Sequence, residues 1–360
     1  MAPTELSPLD GGTEDVLFGV RDGIARIHLN RPKALNALTR DMCAAMLDQL
    51  HAWQNAQGED RPRAVVVSGE GKGLCAGGDI KVLRESATSG DLGPAQDFWR
   101  TEYALDQLVA DYEIPYVALM HGVVMGGGIG ISAHGSHRLV AADAKVAMPE
   151  TGIGLFPDVG AMHLLSRAQH ELGTHVALTG DRFGGADAVL LGLADAVAPA
   201  ELLDPETVVD RLAGGESADD LVAAAREATG EAEAPLAAAA QWTAECYEGE
   251  APAAVLERLK GHSAEGAQKA AELLESRSPL SVAVTLAALR LAAGDTLAGV
   301  LERDLRMATG MLSSGDFAEG VRAVLIDRTN DAAWRHGSIA EVPEDEVKAV
   351  LAGERLDQQG

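Results

Sequence analysis

The sequence predicts an α/β domain followed by a mainly helical C-terminal region. Short β-branched or apolar runs alternate with helix-like spacing over the first two hundred residues. Strand-like runs stop near Glu201, and Ala, Glu and Leu dominate from there on. At 360 residues and 47% apolar side chains, the chain can build a full core and is long for one domain.

Residues 16–30 read as two short strands about the turn Arg21-Asp22-Gly23. Thr39 is placed to cap a helix carrying Met42, Cys43, Met46, Leu47 and Leu50 on one face. Residues 64–68 form a buried strand, and a glycine-rich loop follows over 69–78. An amphipathic helix is expected over 98–108, then a strand over 116–119, entered through Pro115. Gly126-Gly127-Gly128 leads into a helix over 129–134. Short strands at 139–141 and 145–147, helices at 169–178 and 185–191, and a last strand at 196–197 complete the α/β part. Further helices are expected at 234–248, 253–259, 264–275, 280–291 and 299–311, with 204–234 as a loose connection. The expected organisation is a flexible N-terminus over 1–13, a core over 14–200, a helical region over 201–350 and a flexible tail over 351–360.

The formal net charge is −26, and neither half of the chain is basic. A nucleic-acid or anionic-membrane surface is therefore excluded, and the acidity reads as a solubility device. An anionic ligand would need a local positive patch, for which Arg31, Lys33 and Arg40, with Lys72, Lys81 and Arg84, are the candidates. The three cysteines (Cys43, Cys75, Cys246) are widely spaced and form no disulfide framework, which suits a reducing cytoplasm. The first fifteen residues lack the basic and apolar regions of a signal peptide. Residues 114–137 carry no Asp, Glu, Lys or Arg, but their glycines and Pro115 read as strand, turn and helix start, not as a membrane span.

Two glycine stretches carry chemical interest, Gly73-Leu74-Cys75-Ala76-Gly77-Gly78-Asp79-Ile80 and Met125-Gly126-Gly127-Gly128-Ile129-Gly130. Each follows a buried strand. Glycine lets a ligand approach the backbone, and a helix start presents unpaired N–H groups. Two such N–H groups from two loops would make an oxyanion hole. The runs also fit simple tight turns or a phosphate-binding loop, although neither matches a nucleotide-binding motif. A third stretch, Met148-Pro149-Glu150-Thr151-Gly152-Ile153-Gly154-Leu155-Phe156-Pro157-Asp158-Val159-Gly160, sets two carboxylates among apolar, Gly and Pro neighbours. Desolvation there would raise their pKa values and let them divide acid and base roles. Capping of turns is the plainer alternative. His121, His134 and His137 have no partner at metal-ligand spacing, so no metal is expected. Ser132 lacks an obvious base, Cys75 reads as packing, and Glu102 reads by default as a solvated helix acid.

Taken in order, AVVVSG…CAGGDI, PYVALMHGVVMGGGIG, MPETGIGLFPDVG and LTGDRFGGADAVLLGLAD resemble the crotonase (enoyl-CoA hydratase/isomerase) superfamily over about residues 14–200. The resemblance implies a spiral of ββα units that buries an acyl-CoA thioester. It implies that the amides of Gly78 and Gly127 hold the thioester oxygen and that backbone around Ala76 and Ile80 meets the CoA adenine. Hydratases of the family carry a glutamate where this chain has Gly130; their second glutamate matches Glu150, and they have glycine in place of Asp158. A Glu/Asp pair within PETGIGLFPDVG is similar to the 3-hydroxyisobutyryl-CoA hydrolase branch. By the same resemblance Glu102, beside Tyr103, contacts the substrate hydroxyl. SPLS at 278–281 and DFAEGVRAVLID at 316–327 extend the likeness to about residue 350.

The activity implied is hydrolysis of a short branched 3-hydroxyacyl-CoA in valine breakdown, with Glu150 and Asp158 catalytic. CoA enters as part of the substrate, and no other cofactor is implied. Dienoyl-CoA isomerases carry a similar Glu/Asp pair, so a hydratase or isomerase is one alternative and a CoA-binding protein without turnover another. Relatives often assemble as trimers or pairs of trimers, so a homo-oligomer is an alternative to a single chain whose tail takes the place of a subunit contact.

Overall fold

A computed structural model describes residues 3–230 and 232–356. From the N-terminus the elements are β1 (Val16–Arg21), β2 (Ile24–Leu29), α1 (Arg40–Asn55), β3 (Ala64–Gly69), α2 (Ile80–Ser89), α3 (Gly93–Ala110), β4 (Tyr116–Met120), β5 (Val123–Met125) and α4 (Gly127–Ala133). There follow β6 (His137–Ala141), β7 (Lys145–Ala147), α5 (Ala161–Leu165), α6 (Leu172–Thr179), α7 (Gly185–Leu190), β8 (Ala196–Ala198), α8 (Pro205–Ala213) and α9 (Ala218–Thr229). The remainder is helical: α10 (Ala240–Cys246), α11 (Pro252–Gly261), α12 (Glu265–Ser276), α13 (Pro279–Ala292), α14 (Leu297–Ser313), α15 (Asp316–Val321) and α16 (Glu344–Ala352).

Packing groups these elements into two compact units. Unit 1 is Met1–Gly78, Thr101–Val146 and Phe183–Pro235; unit 2 is Asp79–Arg100, Ala147–Arg182 and Leu236–Gly360. The change of composition near residue 200 falls inside unit 1.

Unit 1 is built on a six-stranded sheet of order β1-β2-β3-β4-β6-β8, with a second pair, β5-β7. Only β1 and β2 run antiparallel in the large sheet. Their connection is Asp22-Gly23, both at positive φ (51° and 77°), which suits the right-handed twist of a two-residue hairpin. The later strands are parallel, so each must return through a crossover. β3 is buried on both faces, as its unbroken apolar run demands. Thr39 does cap α1, its hydroxyl accepting from the Met42 N–H at 3.2 Å.

Residues 204–234 are not a loose connection. They hold α8 and α9, whose Val208, Val209, Leu212, Leu221, Val222 and Ala225 form one cluster with Ala64, Val66, Val117, Leu119 and Leu139 of the sheet. The high Ala, Glu and Gly content of this segment hides a sparse apolar stripe that is nonetheless wide enough to cover a sheet face. Both helices are locally specified. Asp204 accepts from the Thr207 N–H at 2.8 Å, and Ser217 and Asp220 form a reciprocal capping box. Ser217→Ala is expected to destabilise unit 1 by about 1 kcal/mol in a thermal-unfolding measurement, because the Asp220 N–H loses its acceptor.

The termini also differ from expectation. Ser7 pairs with Phe18 through two backbone hydrogen bonds of 2.8 and 3.0 Å, and Thr4 is buried with its N–H on the Glu206 carboxylate. A strand edge and an acceptor remote in sequence hold this lead-in. At the other end α16 reaches Ala352, and Leu356 is buried with its N–H on Ser313 Oγ at 2.8 Å. The expected flexible tail is thus corrected over 351–356; residues 357–360, like 1 and 2, lie outside the described residues.

Unit 2 is mainly helical and is centred on α13, of whose fourteen residues eleven are buried. A helix apolar on nearly every side must be surrounded by others, and α5, α6, α11, α12 and α16 pack against it. α2 was not anticipated from sequence; Asp79 caps it, and Leu83 and Ala87 face inward. Among the described residues no helix is long and apolar enough to cross a membrane.

Candidate active site

In unit 1 the two glycine stretches lie against each other. Cys75 N–H donates to Val123 O at 3.1 Å, and Met125 N–H donates back to Cys75 O at 3.0 Å. Leu38 N–H donates to Gly77 O at 2.8 Å and Ala76 N–H to Leu35 O at 3.0 Å, so the first stretch is held from its other side as well. Gly77 has φ +112°, and a β-carbon there would stand 3.7 Å from the Gly127 nitrogen. The Gly78 and Gly127 amides therefore sit on adjoining segments, and among the described residues neither donates a hydrogen bond. Gly126, at φ 48° and ψ −123°, makes the turn into α4 that only glycine takes readily.

α3 closes over these glycines with two acids one turn apart. Glu102 is 2% exposed and Asp106 fully buried, which overturns the solvated reading of Glu102. A β-carbon at Gly127 would meet Glu102 Oε1 at 2.4 Å, and one at Gly130 would meet Asp106 Oδ1 at 2.6 Å. As the two carboxylates stand, a side chain at either position would displace them, and glycine leaves their places open. Asp106 was missed because a single acid in a helix carries no local pattern. Asn36 was missed as well: it is buried at φ 56°, and its Nδ2 donates to Glu70 O and Gly73 O, both at 2.9 Å. It ties the loop after β2 to the start of the first glycine stretch. Asparagine tolerates the left-handed region, which was the available signal.

Glu150, Asp158 and Ile80 belong to unit 2. Glu150 opens a 3-10 turn, Glu150–Ile153, that ends on Gly154 at φ 74°. The turn is gripped by distant parts of the chain. Thr151 donates its hydroxyl to Leu178 O, and Ser278 N–H donates to Thr151 O. The backbone of Asp316 leaves only 2.3 Å for a β-carbon at Gly154, and Gly320 lies as tightly against Ile153. The C-terminal helices hence shape the carboxylate loop directly. Glu150 is 7% and Asp158 6% exposed. Burial, and then the charge of Asp158, hold the Glu150 carboxyl well above the usual carboxylate range. Glu150 Oε2 is buried without a hydrogen-bond partner among the described residues, an uncommon state for a carboxylate oxygen and one suited to meeting a substrate or water.

The remaining expected residues are placed as follows. Ala76 and Gly78 in unit 1 and Ile80 in unit 2 are all partly exposed. Lys33, Arg40 and Lys72 are exposed in unit 1, while Arg31 donates to Ala37 O; Lys81 is exposed and Arg84 half-buried in unit 2. Burial pushes the Cys75 thiol up to about 12, so it is inert and packs. Ser132 is buried with its hydroxyl on Gly128 O. No three His, Cys, Asp or Glu side chains gather as metal ligands among the described residues.

The mostly parallel sheet and the helical region that follows it are shared with crotonase-fold structures, and the chain belongs to the enoyl-CoA hydratase/isomerase family, whose model matches residues 24–351. Within it, the chain is 37% identical over 352 residues to the mitochondrial 3-hydroxyisobutyryl-CoA hydrolase of Danio rerio, covering 96% of this chain and 91% of that protein. Among solved structures it resembles a carnitinyl-CoA dehydratase from Mycobacterium thermoresistibile, with TM-score 0.87 and 42% identity over 94% of this chain and 97% of that one. An enoyl-CoA hydratase from Rhodobacter sphaeroides gives TM-score 0.83 and 36% identity over the same shares, 94% and 97%.

Proposed function

We propose that the protein hydrolyses a short branched 3-hydroxyacyl-CoA thioester, 3-hydroxyisobutyryl-CoA, as a step of valine breakdown. The observation that carries the reading is the buried, electrostatically interacting Glu150–Asp158 pair with one Glu150 oxygen unengaged among the described residues. In this reaction the C–S bond breaks, water supplies the acid's hydroxyl group and a proton reaches the departing thiolate. The Gly78 and Gly127 amides receive the oxyanion formed on the thioester carbonyl. Glu150 attacks that carbonyl or activates the water that does. Asp158 orients the hydroxyl group or delivers the proton to sulfur. Glu102 binds the substrate hydroxyl, and backbone about Ala76 and Ile80 meets the adenine. The identity to the Danio rerio hydrolase supports this assignment. CoA is part of the substrate, and no further cofactor is assigned.

The names of the two similar structures favour a second reading, addition or removal of water on a CoA thioester. Against it stands Gly130, whose side-chain space is taken by Asp106. Thiol release from 3-hydroxyisobutyryl-CoA and from crotonyl-CoA decides between them. Free CoA from the first and no change of the second is expected; hydration of crotonyl-CoA without free CoA would favour the second reading. Label from heavy-oxygen water trapped on Glu150 would mark the covalent route. Cys43, Cys75 and Cys246 are free and buried, which supports a reducing compartment; we place the protein in the cytoplasm, although the Danio rerio relative is named mitochondrial.

A further inference from the structure

We propose that Asp304 is a positioning residue for Asp158, holding the left-handed turn that carries it through a single hydrogen bond to Gly160. The inference rests on the reading of Asp158 as a member of the catalytic pair. Asp304 projects from α14 and is fully buried. Its Oδ2 accepts the Gly160 N–H at 3.0 Å, and its Oδ1 is buried without a hydrogen-bond partner among the described residues. Gly160 is the residue that enters α5, and its N–H needs an acceptor supplied from elsewhere.

The turn has reason to need an anchor. Val159 and Gly160 are both left-handed, at φ 52° and 70°. A β-branched residue is an outlier there and persists only where the surroundings over-determine it. Val159 is itself buried, so the strain cannot be relieved by swinging outward. Asp158 immediately precedes this pair, and its carbonyl accepts from the Ala161 N–H at 2.9 Å. Any relaxation at 159–160 would therefore re-aim the Asp158 carboxylate.

The direction in which the Asp304 pKa moves follows from the same surroundings. Neighbouring Arg303 is engaged with Asp295. Burial and then the charge of Asp158 push the Asp304 carboxyl well above its usual range, while the Gly160 N–H and Arg303 only partly oppose them. The shift favours the neutral acid, and asparagine reproduces both that form's lack of charge and its acceptor.

The test compares Asp304→Asn and Asp304→Ala in the full chain, with kcat and KM for thiol release and a thermal-unfolding curve for each. Asp304→Asn is expected to keep kcat within about threefold of the parent. Asp304→Ala is expected to lose at least about tenfold in kcat, with KM within about threefold, at temperatures where it is fully folded. A purely structural role would lower Tm and leave kcat unchanged. If Asp304→Ala does not fold, Asp304→Ser, too short to reach Gly160, is judged by the same kcat criterion. Unchanged kcat in the shortened variant overturns the proposal, as does an Asp304→Asn variant as impaired as it. Asp158→Asn run in parallel separates the two failures. If it too is fully active, the reading of the acid pair fails; if it alone is impaired, only the positioning role does.

Discussion

Glu150→Gln is expected to lower kcat for thioester hydrolysis by about 10³-fold or more while raising Tm at pH 7 to 8. The substitution keeps the size of the side chain and removes its charge. On the role proposed for Glu150, activity is lost because neither nucleophile nor base remains at the carbonyl. The stability gain follows from the direction of the shift. Burial and Asp158 raise the Glu150 carboxyl well above its ordinary 4.5 in the fold, so ionisation there is costly. A carboxyl shifted upward leaves stability intact below its unfolded value and lowers it as pH rises through the folded one. Glutamine carries no such loss. The Tm difference should therefore vanish near pH 4 and grow above it, and the parent's rate should fall as pH drops through the raised value. A Glu150→Gln enzyme with full activity would remove the chemical basis of the assignment.

Gly128→Ala is expected to reduce kcat by about 10²-fold or more through misplacement of the proposed oxyanion donors. A β-carbon at 128 would lie 2.3 Å from Cys75 O and 3.0 Å from the Cys75 carbonyl carbon. Backbone cannot fold away as a flexible side chain would, so the two glycine stretches must separate. Gly127 is adjacent to the substitution, and Gly78 lies three residues beyond Cys75, so both proposed donors move. KM should change less than kcat, because the oxyanion exists only after attack. Gly261→Ala is the control: nothing lies within 4 Å of a β-carbon there, and neither kcat nor KM should change. A fully active Gly128→Ala enzyme would show that the amides need not be where the structure puts them.

What the sequence determined by itself was whatever depends on near neighbours. Asp22-Gly23 specifies its hairpin, Thr39 its helix, and the run Ala64–Gly69 its buried strand, because dihedral preference and apolar period act over a few residues. The glycine stretches were legible as turns for the same reason, and the Glu150/Asp158 loop stood out through its resemblance to the crotonase superfamily. Tertiary structure decided where single polar residues ended up. Glu102, Asp106 and Asp304 sit in helices whose local pattern reads as amphipathic, and only the segment packed against each makes it a buried acid. Asp304 meets Gly160 across 144 residues of chain. The Gly154 and Gly320 contacts likewise join the carboxylate loop to α15. Burial of an ionisable group is a property of what surrounds it in space, so the depth at which the carboxylates of the proposed chemistry lie was decided only when remote segments were packed together.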